Sequence, residues 1–227
     1  MTAVSAASTA EPNELARVYL GHALAGRDAD AVQTLIDPLI AGAIDLVSLF
    51  ERVITPAAYR VGDLWYAQQI SVADEHFVTQ LNQKLIAIAG TLRPVPQSNS
   101  ECVVLACPSD ELHDTGLRMV AELLIAHGYA ARTLGASTPI PALLDYVAEA
   151  RPLAVGLSIA SPMAISSLTA TVNALREAQP GLPIFIGGNC PQRYPDVATA
   201  VGVPTCTTTE ETLAYLAGLR EPGTAPS

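Results

Sequence analysis

The stretch ECVVLACPSDELHDTGLRMVAELLIAHG, residues 101–128, decides the fold of this chain. Its first seven residues form a short apolar run rich in Val and Cys, the signature of a buried strand. GLRMVAELLIAHG then repeats apolar residues every three or four positions and stops at Gly128, as an amphipathic helix does. Between them lies the polar loop PSDELHDTG, which carries one imidazole, His113, among the carboxylates of Asp110, Glu111 and Asp114.

Outward from this unit the pattern repeats. YAARTL, PALLDYVAEA, LAVGLSI, ISSLTATVNALREA, PIFIGG, a short helix, VPTC and ETLAYLAGL alternate strand-like and helix-like runs through residue 220. Such alternation specifies βαβ units with right-handed crossovers. The expected fold class is α/β: a doubly wound, flavodoxin-like (Rossmann-like) parallel five-stranded sheet over 101–220, in strand order 2-1-3-4-5. Ligands of such sheets meet the C-terminal strand ends, around strands 1 and 3.

Upstream, four stretches carry helical periodicity: NELARVYLGHALA, ADAVQTLIDPLIAGA, DLVSLFERVITPAAYRVGDLW and SVADEHFVTQLNQKLIAIAGTL. They predict a four-helix bundle over 12–93. Pro38 and Pro56 are expected to kink or end a helix, and Ser71 followed by Asp74 and Glu75 marks an N-cap. RPVPQSNS places a linker at 94–100, and residues 1–11 and 221–227 are expected to be disordered.

Composition narrows the function. The 227 residues are half apolar, and 22 Asp and Glu against 12 Lys and Arg give a net charge of −10 with no basic cluster. That surface disfavours nucleic acid. Neither a signal peptide nor a run of about 18 apolar residues is present, so a cytoplasmic protein off the membrane is expected. Cys102, Cys107, Cys190 and Cys206 form no CxxC pair and are expected as free buried thiols. No nucleophile or general-base pair stands in a catalytic setting, so no enzyme is expected.

His113 alone is weak evidence of a site, because a loop histidine beside an acid is more often ordinary surface. A carboxylate two residues away can nonetheless bind its Nδ1 and direct Nε2 toward a metal. Two further features converge on the same strand ends. Strand 3 ends at Ser158, and strand 4 runs into Gly187-Gly188. Paired glycines there suit close approach of a flat or bulky ligand, although a tight turn explains them equally, and Ser158 could cap the next helix.

The pattern Glu111-x-His113-x-x-Gly116, Ser158 and Gly187-Gly188 resembles the (Asp/Glu)xHxxG, SxL, GG signature of the B12-binding fold, over about residues 100–220. The resemblance implies that His113 is the metal ligand below cobalt and that Glu111 is its partner. Asp114, Thr115, Gly116, Ser158, Gly187 and Gly188 would line the rest of the cobalamin site. Here the serine motif reads Ser158-Ile159-Ala160, with Ala160 in place of the leucine.

In the helical half, Trp65 with Glu75 and His76 resembles the Wx9EH pattern of adenosylcobalamin-dependent photoreceptors. An indole can stack on an adenosyl group while a carboxylate and an imidazole bond its polar edges. The ordinary alternatives are Trp65 as core aromatic and Glu75 as a charge matched to the helix dipole. The resemblance implies a stand-alone light sensor that holds adenosylcobalamin and signals through a protein partner or homo-oligomer. In relatives of the photocobilin type a bilin such as biliverdin is a second chromophore. Tyr66 stands where the DNA-binding photoreceptors have a cobalt-capturing histidine, and His76 is the evident substitute. Only about a dozen residues precede the first helix, so no helix-turn-helix domain is expected. The alternative is a corrinoid methyl carrier of a methyltransferase system. His22 and His127 are expected to be structural.

Overall fold

The computed structural model describes residues 11–93 and 101–220. The linker expected at 94–100, the C-terminus at 221–227 and residues 1–10 lie outside the described residues, and Glu11 is the extended N-cap residue of the first helix. The chain divides into two compact units between residues 94 and 95.

The first unit contains α1 (Pro12–Leu24), α2 (Asp28–Ile40), α3 (Leu46–Leu49), a π-helical turn (Phe50–Ile54), α4 (Thr55–Tyr66) and α5 (Val72–Leu92). The third predicted helix is therefore three consecutive pieces. Pro56 has no N–H to close an ordinary helical turn, and the Thr55 hydroxyl and amide both turn back to the carbonyl of Phe50. Pro38 sits in the last turn of α2. Ser71 and Asp74 form a reciprocal capping box at the start of α5, so the sequence boundary there is met. Tyr19, Leu35, Phe50, Ile54 and Leu85 are fully buried. Among them the Tyr19 hydroxyl donates to Oδ1 of buried Asn82 at 2.6 Å and ties α1 to α5.

The second unit contains β1 (Cys102–Pro108), α6 (Thr115–Ala126), β2 (Ala130–Thr138), α7 (Ile140–Ala150), β3 (Ala154–Ser158), α8 (Ile165–Ala178), β4 (Ile184–Gly187), α9 (Asn189–Arg193), α10 (Asp196–Val201) and α11 (Thr209–Gly218). The sheet is parallel with order β2-β1-β3-β4. Val104, Ala106, Val155 and Leu157 pack on one face with residues of α7 and α8, and Val103 and Leu105 pack on the other with α6 and α11. This alternation is what buries a sheet on both faces.

One expectation is corrected. The fifth strand, VPTC, is reduced among the described residues to a single bridge between Thr205 and Ile186. The amide of Ile186 donates to the Pro204 carbonyl at 2.9 Å, and the Cys206 amide donates to Ile186 at 2.8 Å. The next rung would need an N–H from Pro204, which has none. The Tyr215 hydroxyl lies 3.5 Å from the Ile184 carbonyl instead.

No described helix is long and apolar enough to cross a membrane. His22 accepts from Nε of Arg27 at 3.1 Å, and His127 Nδ1 meets the Leu123 carbonyl at 2.8 Å, a helix-end contact. All four cysteines are free, three of them buried and Cys102 half-buried. Burial, reinforced by Glu111 and Asp114, pushes the Cys107 thiol up to about 12, and burial with Glu211 pushes Cys206 to about 11. Since the thiolate is the reactive form, an aromatic disulfide reagent at pH 8 is expected to modify none of the three buried thiols promptly in native protein. All four should react in denaturant; fast native reaction of Cys107 would contradict the packing.

Candidate functional site

The centre of the second unit's loop is Glu111, whose side chain has no exposed surface. The chain leaves β1 at Pro108, reverses through Asp110 at φ 69° and closes with the Glu111 amide donating to the Pro108 carbonyl at 3.1 Å. The turn sends the carboxylate inward. Its Oε1 accepts from the His113 amide at 2.8 Å and lies 2.6 Å from His113 Nδ1. Its Oε2 accepts from the amides of Ala160 and Ser161 at 2.8 and 2.9 Å.

Burial pushes the Glu111 pKa up, but bonds from the His113 ring and from the amides of Ser161, His113 and Ala160 outweigh it and bring the group down to about 2. Glu111 is therefore ionised at neutral pH. An ionised carboxylate only accepts, so the facing Nδ1 of His113 carries the proton and a neutral ring has its lone pair at Nε2. The His113 side chain is 68% exposed.

Around this pair, the predicted residues fall into distinct roles. Asp114 is buried and held by Arg118, whose Nε and Nη2 lie 2.9 and 2.7 Å from Oδ2. Thr115 opens α6, and a side-chain carbon at Gly116 would meet nothing within 4 Å, so the space beside it is open. Ser158 pairs in register with Gly187 and is buried. It does not cap the following turn, which is the work of Ser161 on the Met163 amide.

The two glycines are required by the protein's own backbone. At Gly188, with φ 96°, a Cβ would lie 2.3 Å from the Ile159 carbonyl oxygen and 3.0 Å from Ser158 Oγ. At Gly187 it would lie 2.7 Å from the Cys206 carbonyl oxygen. Gly188 thus serves the turn out of β4, whereas Gly187, still in the strand, is needed for the close approach of the Cys206 backbone.

In the helical unit Trp65 is not a core aromatic, being 48% exposed near the end of α4. Tyr66 beside it is also exposed. Glu75 and His76 form a second carboxylate–imidazole pair, Oε2 to Nδ1 at 2.5 Å, and the Thr79 hydroxyl donates to the other Glu75 oxygen at 2.8 Å. Sequence reasoning missed Thr79, the Ala160 and Ser161 amides and Asp110. The i to i+4 spacing could have revealed Thr79, but side-chain identity carries no signal for a backbone donor.

Among the described residues no group of three or more His, Cys, Asp and Glu side chains is placed to hold an ion. The His113 imidazole, oriented by the Glu111 carboxylate, is a single ligand of the kind that suits a metal arriving with most of its ligands, as in a tetrapyrrole or corrin. The residues at the strand ends fit a cobalt corrinoid: His113 would supply the one protein ligand and Glu111 its orientation.

Comparison with known proteins agrees. A family model described as "B12 binding domain" matches residues 101–217, and a second B12-binding-domain model matches 20–89. The chain is 30% identical over 178 residues to the HTH-type transcriptional repressor CarH of Myxococcus xanthus, covering 78% of this chain and 58% of that protein. It is 30% identical over 148 residues to the repressor CarA of the same organism, covering 64% and 50%. The chain thus spans only about half the length of these relatives. Its fold resembles the monomethylamine corrinoid protein of Methanosarcina barkeri, with a TM-score of 0.76 at 15% identity, over 91% of this chain and 99% of that one.

Glu111→Gln replaces two acceptor oxygens by one and turns an amide N–H₂ toward N–H donors. It is expected to lower stability by about 2–4 kcal/mol, read from urea unfolding. Gly188→Ala should cost about 2 kcal/mol or more, because a side chain there is both strained and obstructed. Wild-type stability in either variant would contradict the geometry.

Proposed function

The chain belongs to the family of B12-binding-domain proteins, and from that premise we propose that it is a cytoplasmic light sensor holding adenosylcobalamin, and not an enzyme. The observation that carries the corrinoid assignment is the buried Glu111 carboxylate set on Nδ1 of exposed His113. In this reading Nε2 of His113 would be the protein's ligand to cobalt, with Glu111 holding the ring. Bound adenosylcobalamin supplies a weak cobalt–carbon bond that light can break.

The helical unit supports the adenosyl part. A tryptophan half exposed beside exposed Tyr66 is poor economy for a bundle core but offers a flat apolar wall. Glu75, held by Thr79 and paired with His76, offers a carboxylate and an imidazole for the sugar and base. A methyl group would need neither. Output in this reading goes through a protein partner or self-association, because the chain carries −10 net charge and no basic cluster. A bilin such as biliverdin as second chromophore rests on the photocobilin resemblance alone.

A second reading is a corrinoid methyl carrier, since the fold is shared with a methylamine corrinoid protein and one fold serves several functions. The two separate on light. Protein loaded with adenosylcobalamin in the dark is expected to change visible spectrum and oligomeric state on illumination, and a parallel sample with biliverdin should show a bilin band if that chromophore binds. His113→Ala should lose most corrinoid affinity. Trp65→Ala should weaken adenosylcobalamin binding about tenfold or more while sparing hydroxocobalamin, in line with the loss of a stacked aromatic contact. Indifference to light together with methylation by a partner enzyme would reject the sensor in favour of the carrier.

A further inference from the structure

Asp110 takes no part in the Glu111–His113 pair, yet it is held in a conformation that residues with a side chain rarely adopt. Its φ is 69°, in the left-handed region that Asp and Asn tolerate better than most. Such a residue persists only where its surroundings hold it. Two groups do so from different elements. Ser167, in the first turn of α8, donates its hydroxyl to Asp110 Oδ2 at 2.9 Å, and the Asp110 amide points to Ser137 Oγ at 3.4 Å. Ser137, at the end of β2 and itself at φ 48°, returns its amide to the Glu111 carbonyl at 2.9 Å.

The consequence is geometric. The left-handed residue reverses the chain so that Asp110 stays at the surface while the next side chain, Glu111, is wholly buried. His113, two residues on, is then presented outward with its ring fixed on Oε1. The Asp110–Ser167 bond is the one side-chain bond among these that ties the start of the loop to α8.

We propose that Asp110 is a positioning residue: clasped by Ser167, it holds the His113 loop in its ligating form before any cofactor arrives. Cobalamin then docks on a built loop and does not have to order one, which removes an entropic cost from binding. The proposal rests on the reading of His113 as cobalt ligand.

The full-length apoprotein tests it. Backbone amide exchange at His113 and Ser137, both donors to Glu111, is measured beside the dark association rate of adenosylcobalamin. Ser167→Ala and Asp110→Gly, the latter keeping the backbone freedom while removing the carboxylate, are expected to speed exchange about tenfold, the scale of one charge-assisted hydrogen bond. Both should slow association several-fold. Asp110→Asn should behave as wild type, because its side-chain oxygen still accepts from Ser167 and Asn tolerates the same φ. Wild-type exchange and association in Ser167→Ala would overturn the clasp, as would a wild-type Asp110→Gly. His113→Ala separates the two levels. If it loses the bound-cofactor spectrum while Ser167→Ala is normal, only the clasp fails. If it keeps that spectrum, the ligation reading fails and the clasp with it.

Discussion

One buried carboxylate organises the candidate site. Glu111 accepts four bonds, two from His113 and two from the amides of Ala160 and Ser161 after β3. A charge without solvent is costly unless each acceptor site is met, and here the donors come from two strand-end loops of a parallel sheet. The order β2-β1-β3-β4 puts β1 beside β3 and so brings those loops together. The same bonds that stabilise the ion orient the imidazole, so the burial of the acid and the aim of the histidine are a single physical fact.

Much of this was legible in the sequence, for reasons that can be named. Alternating strand and helix periodicities announce a doubly wound sheet, and Ser71 with Asp74 announces the start of α5. What stayed hidden depends on backbone groups. VPTC has strand composition, but Pro204 cannot donate the next rung and the strand shrinks to one bridge. Glu111 and His113 could be paired by their spacing, whereas the Ala160 and Ser161 amides carry no mark in side-chain identity. Gly187 and Gly188 were legible as special and ambiguous in purpose; contacts with Ile159 and Cys206 show that the backbone itself requires them. Trp65 was ambiguous between core and surface until its exposure was known.

The pair at Glu111 and His113 recurs in the helical unit as Glu75 and His76, with nearly the same separation. The settings differ. Glu111 is sealed from solvent and held by amides, which fixes the ring it orients. Glu75 is partly exposed and held by one hydroxyl on its own helix, a less constrained arrangement.

The central claim is that the imidazole of His113 binds cobalt. It is tested most directly by the electron paramagnetic resonance spectrum of protein loaded with a cobalt(II) corrinoid, comparing ordinary protein with protein labelled at histidine with nitrogen-15. A protein histidine on cobalt predicts that the nitrogen triplet becomes a doublet on labelling, and that His113→Ala abolishes this change. A triplet that survives labelling would show that the cofactor's own base holds the metal and would contradict the account.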